Sequence, residues 1–162
     1  GLGDVYKRQI KNIVLVVFVE IIAIIDFDTM EVYSSITYTA MAIGVLNIII
    51  EKIVFHMHIL TYLLGAAIPA AFIYIINKFS KGFGGGDIDV FIIIGLFLGA
   101  NLSGLTLFFS IIIGAASAII LVISRKLSKK DAMPFVPYIF AAMLITLLWG
   151  EEIIDYYLKM IV

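Results

Sequence analysis

The run GFGGGDIDVFIIIGLFLGANLSGLTLFFSIIIGAASAIILVI, residues 82–123, decides how the rest of the chain is read. A helix that crosses a bilayer needs about 20 apolar residues, within a range of about 17–25. This run supplies two spans, 88–102 and 105–123, parted at 103–104. Working outward, four more apolar segments follow the same rule: 10–25, 37–50 continuing toward Phe55, 59–76 with Pro69 inside it, and 137–149. Their β-branched content would favour strands in water. In lipid the backbone must satisfy its own hydrogen bonds, so helices win. No segment of barrel length alternates with period two. The expectation is an all-α, polytopic transmembrane bundle of about six helices.

Composition agrees. Of 162 residues 63% are hydrophobic and 14% charged, with mean hydropathy +1.16. Globular chains run at about 45–50% apolar and about 25% charged. A soluble enzyme and a disordered tail are excluded, and the lipid bilayer is the first partner. Eleven basic and twelve acidic residues nearly cancel, so no net field invites a nucleic acid. Without cysteine there is no disulfide, thiol nucleophile or thiolate metal site. The length suits one domain. Residues 1–9, GLGDVYKRQ, resemble a translated sequencing-adapter end and are set aside. Residues 10–162 are then the membrane-embedded domain, with its natural start expected further upstream.

The loops 26–36, 78–87 and 124–136 share one face by span parity. That face carries Lys78, Lys81, Arg125, Lys126, Lys129 and Lys130 against Lys11, Lys52 and Lys159 opposite, which makes it cytoplasmic. Acids beside spans carry the chemistry, since an acid at mid-bilayer costs roughly 2.5–3.5 kcal/mol. Asp26 ends the first span and Asp87 begins the fourth, so both sit on the same face. Two carboxylates held close do not both ionise easily, and such a pair can keep one proton at neutral pH. One can then activate water while the other polarises a carbonyl. For each Asp alone the bland reading is an interfacial helix terminus. The stretch Lys81-Gly82-Phe83-Gly84-Gly85-Gly86-Asp87 adds glycines that allow close backbone approach. A phosphate loop would want Lys where Asp87 stands, although Asp there is also an ordinary N-cap.

Gly84-Gly85-Gly86-Asp87 resembles the GxGD signature of intramembrane aspartic peptidases. The wider run 82–90 is similar to the segment around the second aspartate of type IV prepilin peptidases. Ile25-Asp26-Phe27-Asp28-Thr29 is similar to the segment bearing their first. Met133-Pro134-Phe135-Val136-Pro137-Tyr138 resembles their PFGP motif before the last helix, and Leu148-Trp149-Gly150 fits that helix's end. The resemblance implies an enzyme of the bacterial inner membrane that cuts prepilin or pseudopilin leader peptides after Gly at the cytoplasmic edge. Asp26 and Asp87 would be its catalytic pair, with Gly84 and Gly86 shaping the second catalytic loop. The peptidase step would need no metal or organic cofactor. S-adenosylmethionine would enter only if a missing N-terminal region supports methylation.

The sequence departs from the family at Val32-Tyr33-Ser34, where Leu/Ile-Pro and then Asp or Asn is usual. It departs again at Asp89, often Lys, and at Val136, the Gly of PFGP. Asp28, Glu31 and Asp89 either attract a basic leader or are solvated loop charges. Glu20 lies about 240° round the helix from Asp26, off its face. His56 and His58 offer too few ligands for a metal. Gly95-x-x-x-Gly99 fits close helix packing, and Pro69 a kink whose freed carbonyl a neighbour satisfies. Trp149, Tyr156 and Tyr157 suit an interfacial aromatic belt. The alternatives are an inactive homologue and a small proton-coupled transporter with Glu20 and Asp87 along one cavity.

Overall fold

The computed structural model describes residues 1–80, 84–126 and 133–161. Lys81, Gly82, Phe83, Lys129 and Lys130, named above, lie outside the described residues. The regular elements are all helices: α1 (Leu2–Thr29), α2 (Ser34–Phe55), α3 (Ile59–Ser80), α4 (Gly85–Ile123) and α5 (Val136–Ile161). Four of them, α2 to α5, are long and apolar enough to cross a membrane. α1 has a shorter uncharged stretch because Lys11, Glu20 and Asp26 punctuate it. The chain is a multi-pass helical membrane protein.

This is the all-α bundle expected; among the described residues the helices number five against about six expected, because the fourth and fifth spans belong to one element. α4 has 39 residues, about 58 Å if straight, roughly twice a bilayer core. It is not straight. Gly99 has φ 78° and ψ −179°, a conformation essentially confined to glycine. Gly114 lies against the Phe135 ring, and Val136 is bonded to Asp26, near Asp87 at the start of α4. The second arm of α4 therefore returns beside the first. The break sits at Gly99, not at 103–104: Ser103 is buried in the helix interface, while nothing crowds Gly104.

α3 and the first arm of α4 approach backbone to backbone. A Cβ on Gly65 would stand 2.8 Å from the Ala100 nitrogen, and one on Gly95 would collide with the Gly65–Ala66 peptide. Glycine is what permits this distance. Pro69 lies inside α3 and has no N–H for the Gly65 carbonyl four residues back. The Ser103 hydroxyl donates to that carbonyl instead, at 2.8 Å. Asn47 of α2 donates to the Leu96 carbonyl just before the turn, at 3.2 Å. α5 runs back along the second arm of α4, with Gly150 facing Leu102 and Leu105.

The core collects Leu15, Val19 and Ile22 of α1, Phe91, Ile94 and Phe97 of α4, and Ile139 and Met143 of α5. Large apolar side chains on the outside, such as Ile24, Ile53, Ile68, Phe108 and Ile120, suit acyl chains. Trp149, Tyr156 and Tyr157 are exposed on α5, which continues twelve residues past the expected 149.

Candidate active site

Asp26 lies in the last turns of α1, ahead of Met30, which stops the helix in a left-handed conformation (φ 55°). Its side chain turns into the bundle, and the residue is only 6% exposed. Buried carboxylates need hydrogen-bond donors. The Val136 N–H supplies one to Asp26 Oδ2 at 3.0 Å, and the Phe135 backbone bonds Asp26 as well. These amides open α5, and a helix N-terminus favours a nearby anion. The Met133–Tyr138 segment thus has a physical task in this fold, which is to seat Asp26.

Asp87 occupies the first turn of α4 and is 4% exposed. Its Oδ2 accepts the Gly84 N–H at 2.7 Å, and its own N–H donates to the Gly84 carbonyl at 3.3 Å. The two bonds close the start of the helix on itself and fix the carboxylate. Asp26 is near enough for its charge to act on Asp87. The fold therefore brings together, from helices far apart in sequence, the two acids that sequence reading singled out.

The glycines divide in role. Gly86 is pressed against Val32, whose side chain fills the space where a Cβ would go. Gly85 has nothing within 4 Å of its Cβ position, and Gly84 contributes its N–H. Asp28 and Glu31 are exposed at the end of α1. Asp89 is half-buried and turned toward α2, where Thr37 Oγ1 lies 3.4 Å from its Oδ2. Sequence reading named Val32 only as part of a departure from the family pattern and passed over Thr37, since one aliphatic and one hydroxyl residue beside a linker carry no chemical signature.

Glu20 is exposed, on a different side of α1 from the buried Asp26. Asp87 is buried and Glu20 is not. His56 and His58 sit in the α2–α3 connection, and no group of three or more His, Cys, Asp or Glu side chains clusters as a metal site among the described residues. A second polar cluster lies toward the other end of α1. Lys11 Nζ donates to Glu51 Oε1 at 2.8 Å, beside Tyr62 and a cavity of about 450 Å³.

Residues 13–120 match the family model described as type IV leader peptidase family. The prepilin leader peptidase/N-methyltransferase of Bacillus subtilis strain 168 is 39% identical over 99 residues, 60% of this chain and 40% of that protein. The protein of the same name from Pseudomonas putida is 38% identical over 73 residues, 45% of this chain and 25% of its own length. That of Aeromonas salmonicida strain A449 is 35% identical over 81 residues, 50% and 28% respectively. The match spans less than half the length of each of these relatives. No solved structure is matched.

Proposed function

The chain belongs to the type IV leader peptidase family, and from that premise we propose that it is a membrane aspartic endopeptidase removing leader peptides from type IV prepilins or pseudopilins. Cleavage follows Gly at the cytoplasmic edge of the substrate's apolar helix, in the bacterial inner membrane. The observation that carries this reading is the buried pair Asp26 and Asp87 at one end of the bundle, each tied by one oxygen to a backbone N–H. Lys78, Arg125 and Lys126 are exposed at that end, the cytoplasmic one by the positive-inside rule.

Backbone bonds fix the two carboxyl groups and leave oxygen lone pairs for water and substrate. Between them the pair holds one proton. The ionised carboxylate takes a proton from water as the water oxygen attacks the scissile carbonyl carbon. The carboxylic acid gives its proton to the carbonyl oxygen. As the tetrahedral intermediate collapses, the C–N bond breaks, the leaving nitrogen is protonated by the carboxyl that took the first proton, and a hydroxyl of the intermediate returns its proton to the other carboxylate, which restores the singly protonated pair. None of these steps calls on a metal or an organic cofactor. A helical peptide bond is internally bonded, so attack is easiest where the substrate helix frays at the interface. Methylation by S-adenosylmethionine forms no part of this proposal.

The test is processing of a Gly-Phe prepilin in membranes by the full-length protein and by Asp26→Asn and Asp87→Asn. Asn keeps an oxygen to accept the same backbone N–H, so both variants should insert and fold. Each should lose processing by about a thousandfold or more. The double variant should be no worse than either single one, since the two groups act as a unit. An inserted wild type that leaves intact a panel of leaders with Gly at the cut site would end the peptidase reading.

A further inference from the structure

The start of α4 is held from the α1–α2 side at two points. Gly86 abuts Val32, in the connection between those helices. One turn along, Asp89 Oδ2 lies 3.4 Å from Thr37 Oγ1 in the first turn of α2. Thr37 is fully buried, and its hydroxyl also lies 3.1 Å from the Ser34 carbonyl, so its single proton is divided between two acceptors. Asp87 stands between these contacts in sequence. Residues two apart on a helix point about 200° apart, so Asp89 faces α2 while Asp87 faces Asp26.

One contact fixes how near a helix lies, and a second fixes its rotation about its own axis. Rotation is what matters to the dyad. Turning a helix by about 20° carries a carboxylate at its outer radius of about 5–6 Å through roughly 2 Å. A misplacement of about 1 Å can cost a reaction about a hundredfold. We propose that Val32 and Thr37 are positioning residues of the peptidase, with Thr37 acting through Asp89 to set the rotation of the helix that presents Asp87. Asp89 is thereby a tie to α2 and not a docking point for a basic leader. The inference rests on the peptidase reading.

The experiment measures prepilin cleavage by the full-length enzyme in membranes. Thr37→Val and Asp89→Ala should each lower kcat about tenfold with KM within about twofold, and the double variant should fall no lower than the weaker single. Thr37→Ser, which keeps the hydroxyl, should recover most of the rate. A rise in KM alone for Asp89→Ala would make Asp89 a leader-binding group and overturn the inference. So would a Thr37→Val enzyme equal to wild type, or losses that multiply in the double variant. Geometry is read separately. Residues 1–162 contain no cysteine, so Thr37→Cys with Asp89→Cys should give on oxidation a disulfide-linked peptide that carries both positions, whether or not any leader is cut. An active enzyme without that cross-link overturns the two-point hold alone. A wild type that cuts no leader, with the cross-link present, removes the peptidase reading and leaves the hold as architecture.

Discussion

A methyl group on Gly86 would have to occupy the volume of the Val32 side chain. Overpacking of this kind costs about 1–3 kcal/mol, and here the strain falls beside Asp87. Gly86→Ala is therefore expected to lose prepilin processing and to unfold at a lower temperature in detergent. Val32→Ala in the same chain should return much of both, whereas Gly85→Ala, with open space around it, should leave stability unchanged. If Val32→Ala brings no recovery, the steric account of Gly86 is wrong. At this scale the chemistry was legible: an acid in an apolar chain is costly, so Asp26 and Asp87 stood out before any coordinates. Their partners were not. A backbone N–H at Val136 leaves no mark in sequence, and Val32 matters only because of what folds against it.

Among elements, the turn inside α4 shows where sequence reading falls short. Ser103-Gly104 reads as the break between two spans, yet it is helical. Ser103 is occupied in replacing the amide that Pro69 lacks, a need that arises only once α3 and α4 touch. The turn takes Gly99 because its dihedrals suit no other residue. Gly99→Ala should cost about 1–3 kcal/mol, read as a lower Tm of the purified protein, while Gly104→Ala should be nearly neutral. Equal Tm values for the two would contradict the assignment. Span existence was legible throughout, because a stretch apolar on all sides has few places to go but lipid. The far end of α5 was not, since Glu151, Glu152 and Asp155 ended the apolar count without ending the helix.

For the molecule as a whole, the position of Gly99 sets a length. The first arm of α4, from Gly85 to the residue before the turn, has fourteen residues and rises about 21 Å, against a hydrocarbon thickness of about 30 Å. That arm is buried inside the bundle, so the longer helices around it meet the bilayer, at fractions of a kcal/mol for each Å of mismatch. Asp87 stands on the third residue of that arm, so a thinner bilayer around those longer helices lowers the water boundary toward the dyad. The enzyme should then be sensitive to acyl-chain length. In vesicles of otherwise matched lipids, cleavage is expected to be faster with short-chain than with long-chain lecithins, and a rate independent of chain length would refute this. The membrane around the protein would act as a tunable component of its catalysis, with thickness serving as the dial.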